Sequence, residues 1–139
     1  MAGRILMIDD NTDYLTLMTA VLGRAGYTLI TARNGQEGLE KARAEKPDLI
    51  LTDLMLPQLN GYEICSLLKQ DLKYRRIPIV VWSATKLQDR DAKLARECGA
   101  DAYLLKSVAP AALLQEIERM LAGLPRPSSG EDRGQPPGA

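Results

Sequence analysis

The chain contains no histidine. That single absence excludes His-based catalytic triads, most catalytic zinc sites and any phosphohistidine of the chain's own. If phosphate passes through a histidine in its chemistry, another molecule supplies that histidine. There are only two cysteines, Cys65 and Cys98, with no CxxC spacing, so free core thiols in a reducing compartment are expected. Lys plus Arg and Asp plus Glu both number 18, which leaves no net field to attract nucleic acid or an anionic membrane. No apolar run approaches ~18 residues and no secretory h-region precedes the first aspartates, so no membrane insertion and a cytoplasmic location are expected. Walker A and GxGxxG loops are missing, which weakens any nucleotide-binding reading.

What is present is ordinary in bulk and unusual in arrangement. With 139 residues, 45% hydrophobic and 26% charged, the chain is sized and composed for one globular domain. Five short apolar runs punctuate it: Arg4 to Ile8, Thr28 to Ala32, Leu49 to Thr52, Ile79 to Trp82 and Ala102 to Leu105. Each is rich in Ile, Leu, Val or Ala without internal polar alternation, as suits strands buried on both faces of a parallel sheet. Amphipathic stripes lie between them: Leu15, Met18 and Leu22; Ile64, Leu67 and Leu68; Leu113, Ile117, Met120 and Leu121. Asn34 with Glu37 and Asn60 with Glu63 read as capping boxes, and Pro110 as a first-turn proline. Gly23, Gly26 and Gly99 fall where helices should stop.

Five βα units ending near Ala122 follow, with an α/β fold, a parallel sheet and helices on both faces. Residues 1–122 form the predicted domain. Residues 123–139, GLPRPSSGEDRGQPPGA, hold four of the eight prolines and read as a disordered tail or linker stub.

The polar residues that follow the apolar runs carry the chemistry. The first run, in ILMIDDN, ends at Asp9 and Asp10; the third ends at Asp53, the fourth at Ser83 and the fifth at Lys106. A parallel sheet places all these ends on one edge, where open α/β sheets bind ligands. Polar residues at strand ends are common by themselves, since strands run into loops. Three aspartates among them are harder to explain that way, because clustered carboxylates raise one another's pKa unless a cation sits between them. Few oxygen ligands with room for water suit Mg²⁺ better than an all-protein Ca²⁺ cage. One aspartate could then act as a nucleophile toward phosphorus, with Lys106 and the Ser83 hydroxyl neutralising phosphoryl oxygens.

This pattern resembles the receiver domain of two-component response regulators, including the single-domain chemotaxis type. The resemblance is carried by IDD at Ile8 to Asp10, TDLMLPQLNG from Thr52 to Gly61, WSA from Trp82 to Ala84 and GADAYLLK from Gly99 to Lys106, over roughly Arg4 to Ala122. It implies a flavodoxin-like sheet of order 2-1-3-4-5, which sets strands 1 and 3 side by side. It makes Asp53 the phosphoacceptor and Lys106 the phosphoryl-binding cation. Asp10, Asp9 (mainly through water), Asp53 and the Met55 backbone carbonyl would ligate Mg²⁺ or Mn²⁺. Ser83 and Tyr103 would be the switch pair, repacking the surface of the fourth helix, fifth strand and fifth helix. A histidine kinase or histidine phosphotransfer protein would supply phosphate, and a downstream protein target would read the result. The resemblance leaves room for a homodimer and implies no direct nucleic-acid contact. The only reaction implied is the domain's own phosphorylation and dephosphorylation.

Two positions depart from the family's pattern. Ser107 follows Lys106 where proline behind a cis peptide is usual, and a non-proline cis bond costs about 3 kcal/mol, which favours a trans peptide. Ser83 stands where threonine is commoner and keeps the hydroxyl. Met55 and Thr85 are expected to flank the path of attacking water. Trp82 reads mainly as packing, and the Asp89, Arg90, Asp91 and Lys93 cluster as a solvated helix face. A phosphorylation-independent interaction module with the same fold is the alternative. A phosphatase of the aspartyl-phosphate type is disfavoured, because the acid/base carboxylate it needs two residues past the nucleophile is replaced by Met55.

Overall fold

In the computed structural model, five strands form a parallel sheet of order β2-β1-β3-β4-β5. Described are residues 3–84, 93 and 97–123. The strands are β1 (Arg4–Ile8), β2 (Thr28–Ala32), β3 (Leu49–Asp53), β4 (Ile79–Ser83) and β5 (Ala102–Leu105). The helices are α1 (Thr12–Arg24), α2 (Gly35–Glu45), α3 (Gly61–Lys69) and a C-terminal helix, Pro110–Leu121. The fourth helix expected between β4 and β5 falls largely outside the described residues, as do Thr85, Asp89, Arg90, Asp91 and all of the expected tail beyond Gly123. Among the described residues no helix is long and apolar enough to cross a membrane.

The sheet divides the core into two layers because side chains alternate along each strand. Leu6, Ile8, Ile50, Val81 and Ile79 face α2 and α3, meeting Leu39, Ile64, Cys65 and Leu68. Ile5, Met7, Leu49, Leu51, Val80 and Trp82 face the other way, onto Leu15, Met18 and Leu22 of α1 and Leu113 and Ile117 of the C-terminal helix. Each such Leu or Ile taken from water contributes on the order of 2 kcal/mol. Burial of both faces holds for β3 and β4 throughout and for β1 after Arg4. It does not hold at the sheet edges: β2 is only partly covered, and Tyr103 and Leu105 of β5 are exposed. An apolar run reports that a strand exists; only strand order decides whether neighbours cover it.

The helix stripes are realised with one correction. In α3 Leu67 is exposed and Cys65 is buried in its place beside Ile64 and Leu68. In the C-terminal helix Leu113 and Ile117 are buried, while Met120 and Leu121 are half-buried at its fraying end. Asn60 and Glu63 form a complete capping box. Asn34 caps Glu37, but the Glu37 carboxylate turns back one residue further, to the Arg33 N–H at 2.9 Å. Gly26 and Gly99 have φ of +99° and +97°, as helix stops require; Gly23 remains within α1.

Candidate active site at the carboxyl edge of the sheet

Strand register brings the acidic residues together. Ile8 pairs with Thr52 in the parallel ladder, so the residues that follow, Asp9 and Asp53, leave adjacent strand ends side by side. Asp53 in turn lies opposite Trp82, and Ser83 opposite Leu105, which delivers Lys106 to the same rim. Carboxylate oxygens of Asp9, Asp10 and Asp53 all lie within 4.8 Å of one another. Asp9 is fully buried, Asp53 nearly so, and Asp10 exposed, so the cluster opens to solvent on one side.

The turn after β1 is built by its own side chains. Asp9 Oδ1 accepts the Asn11 N–H at 3.0 Å, and Asn11 then caps α1 by accepting the Tyr14 N–H at 3.0 Å. After β3 the same device recurs: Asp53 Oδ1 accepts the Met55 N–H at 3.0 Å. Each carboxylate is therefore oriented by one oxygen, and Oδ2 is left to face the cleft. Gly61 at the start of α3 closes the floor. A Cβ there would stand 2.6 Å from the Asp53 carbonyl oxygen and 3.0 Å from Leu54 Cα.

Lys106 supplies the positive charge. Its Nζ lies 2.5 Å from Asp9 Oδ2 and 3.1 Å from Asp53 Oδ2. The contact with Asp53 is a hydrogen bond. That with Asp9 is an ion pair of poor angular alignment, and Asp9 Oδ2 has no hydrogen-bond partner. Burial pushes Asp53 above the ordinary carboxylate range; the Met55 N–H and Lys106 oppose this, while Asp9 adds to it. Like-charge repulsion thus acts as expected on Asp53, but burial is the larger cause. Burial by itself would lower Lys106, yet its hydrogen bond to Asp53 and its close pairing with the Asp9 and Asp53 charges outweigh it and hold the ammonium above its ordinary pKa.

Tyr14 is the residue of this site that sequence reasoning missed. Its hydroxyl donates to the Lys106 carbonyl at 3.3 Å, its ring lies 4.6 Å from the ammonium, and it packs edge-on against Trp82 with centroids 5.0 Å apart. Burial, the largest influence, raises its phenol pKa. The available signal was its place in the first turn of a helix that begins at the acidic rim. Trp82 is packed as expected, fully buried, although Lys106 Nζ also lies 5.9 Å from its ring and its indole N–H is unpartnered.

The remaining predicted residues are placed as follows. Ser83 is buried at the end of β4 and its carbonyl accepts the Lys106 N–H at 2.8 Å. Tyr103 is on β5 and partly exposed, three residues before Lys106 at the rim. The Met55 side chain is exposed beside the cleft. The Lys106–Ser107 peptide is trans, and no described residue follows a cis bond.

Donor set and spacing fit a small divalent cation. Three carboxylates converge, one buried oxygen lacks a hydrogen bond, and a cationic nitrogen already stands among them.

The similarities to known proteins agree with this geometry. The chain is 38% identical over 120 residues to protein PilH of Pseudomonas aeruginosa, covering 86% of this chain and 98% of PilH. It is 41% identical over 118 residues to the alkaline phosphatase synthesis transcriptional regulatory protein PhoP of Bacillus subtilis, covering 85% of this chain and 48% of PhoP. The chain therefore spans about half the length of that regulator. Among solved structures, the receiver domain of a sensor histidine kinase from Pseudomonas aeruginosa, with a magnesium ion coordinated in its active-site cleft, superposes with a TM-score of 0.80. It shares 29% identity over 88% of this chain and 99% of its own. Residues 5–118 match the response regulator receiver domain family, and with this flavodoxin-like sheet and rim the chain belongs to that family of two-component signalling modules.

Proposed function

We propose that this receiver domain accepts phosphate on Asp53 from a phosphohistidine of a partner histidine kinase or phosphotransfer protein, in the cytoplasm, and reports the state to a downstream protein. The observation that carries this reading is the Asp53 carboxylate held between a lysine ammonium at 3.1 Å and two further carboxylates within 4.8 Å. The lack of any histidine in this chain requires the donor to be another molecule.

Asp53 Oδ2, which faces the cleft and accepts from Lys106 Nζ at 3.1 Å, is the attacking oxygen, since Oδ1 is committed to the Met55 N–H. In the transfer it attacks phosphorus, the phosphorus–nitrogen bond of the donor breaks, and the imidazole leaves with that electron pair. Lys106 turns from the carboxylates to the phosphoryl oxygens, and the Ser83 hydroxyl donates a hydrogen bond to them. Asp9, Asp10, Asp53 and the Met55 carbonyl would hold Mg²⁺, which supplies charge neutralisation and orientation for the incoming phosphoryl group. Water attack at phosphorus later returns the carboxylate and releases inorganic phosphate, so the domain resets itself.

Phosphorylation adds a charge of about −1.5 to −2 in a site that already contains buried carboxylates. Ser83 and Tyr103 sit on neighbouring strands, and Tyr103 lies opposite Val81 in the ladder. Movement of the Ser83 side chain toward the phosphoryl group leaves room for the half-exposed Tyr103 ring to turn inward. That repacks the surface around β5 for docking.

Intact-mass measurement after incubation with acetyl phosphate and Mg²⁺ tests the proposal. One phosphoryl addition is expected, lost in Asp53→Asn and on chelation of the metal. No addition, or addition that survives Asp53→Asn, would instead identify a docking module independent of phosphorylation.

A further inference from the structure

The two cysteines meet where α3 packs against the segment that leads into β5, with Cys65 one turn beyond Gly61. Cys65 is fully buried on α3, and Cys98 is half-buried just before the Gly99 turn into β5; both are free thiols. Cys65 Sγ donates to the Cys98 carbonyl at 3.4 Å across 33 positions of sequence, and each thiol governs the ionisation of the other. Here the surroundings are pinned. Lys69, one turn after Cys65, donates to the carbonyls of Arg75 and Ile77 at 3.0 and 2.9 Å and to Asp101 Oδ2 at 2.9 Å. Asp101 Oδ2 also accepts the Ile79 N–H at 2.8 Å, which locks the Cys98–Asp101 segment against α3 and β4.

The two thiols are also unequal. The hydrogen bond from Cys65 lowers the Cys98 pKa below the ordinary thiol value, with help from the Ala100 N–H and the Lys69 charge. The same bond, together with burial, raises Cys65. An accessible, acidified thiol beside a buried partner has the arrangement of a peroxide-reactive cysteine and its resolving cysteine.

We propose that Cys65 and Cys98 form a reversible, peroxide-driven disulfide that clasps α3 to the segment entering β5. The Cys98 thiolate attacks a peroxide oxygen; the oxygen–oxygen bond breaks, hydroxide leaves and is protonated to water, and Cys98 becomes a sulfenic acid. Cys65 sulfur then attacks Cys98 sulfur, the sulfur–oxygen bond breaks, and a second water departs with the Cys65 proton. Two thiols and one hydrogen peroxide thus give one disulfide and two waters. Cellular dithiols reverse the step by exchange. The clasp joins the helix that floors the Asp53 site to the strand that ends at Lys106, and it closes a long loop of chain. It therefore raises the thermal midpoint of the oxidised form.

The test uses the full chain, treated with hydrogen peroxide alongside glutathione as an internal reference, then denatured, alkylated and digested. Expected is a joined Cys65–Cys98 peptide with neither cysteine alkylated, both becoming alkylated after dithiothreitol. The melting midpoint should rise on oxidation and return on reduction. Cys98→Ser, at the less buried position, should leave Cys65 fully alkylated at the same dose. Full alkylation of both wild-type cysteines while half the glutathione is oxidised would overturn the proposal. So would oxygenation of Cys98 without the joined peptide, or a covalent dimer in its place.

Discussion

The Lys106 ammonium stands 2.5 Å from Asp9 Oδ2, an oxygen of a carboxylate with no exposed surface. A buried carboxylate is costly unless compensated, and here the compensation is the side chain that the proposed phosphoryl transfer would draw away. Lys106 therefore stands where a cation held by the three carboxylates would also sit. Lys106→Ala should strengthen Mg²⁺ binding by roughly ten-fold, equivalent to about 1.4 kcal/mol, while abolishing phosphorylation-dependent signalling. Fluorescence of Trp82, the single tryptophan and near the ammonium, provides the titration signal. Weaker binding in the variant would contradict competition.

The same pair sets an alkaline limit on stability. Lys106 is held above its ordinary value of 10.5, so its contribution is complete below that pH and is lost as pH rises through the higher, folded-state value. Tyr14 and Tyr27, both raised mainly by burial, lose stability in the same direction. Melting midpoints measured without metal should fall more steeply at high pH in the native chain than in Lys106→Met, where the tyrosine contributions persist and the lysine contribution is already gone.

Gly61→Ala should destabilise the fold by about 1–3 kcal/mol, because the new methyl meets backbone atoms of Asp53 and Leu54 that cannot rotate away. Urea denaturation gives the loss. Phosphorylation by acetyl phosphate should slow as well, since the displaced atoms belong to Asp53, the proposed phosphoacceptor.

Lys69→Met should cost about 2 kcal/mol by the same measurement, reflecting three acceptors deprived of a charged donor at a site only partly screened by solvent. A loss indistinguishable from zero would mean that water replaces the ammonium without penalty.

Strand positions and the acidic rim were legible from local patterning, and the sheet order from the resemblance of the motifs to receiver domains. Asp9, Asp10, Asp53, Ser83 and Lys106 follow apolar runs directly, and a parallel sheet leaves them no other edge. Exposure of Tyr103 and Leu105 was not legible, since an edge strand reads like a central one until its neighbours are known. Leu67 and Cys65 exchanged places because a two-turn helix tolerates a rotation that its apolar spacing does not distinguish. Tyr14 was hidden for a different reason. Its role arises from contact with residues of β4 and the β5 exit, and no local signal marks a helix residue as facing them.

That contact constrains how the domain can move. The Tyr14 hydroxyl holds the carbonyl of the residue whose ammonium crosses its own ring, and Ser83 holds the N–H of that residue. Lys106 is thus tethered through its peptide groups and free only along four methylenes. Its side chain can therefore swing as an arm from a fixed shoulder, and a reach across the cleft requires no rebuilding of the chain beneath it.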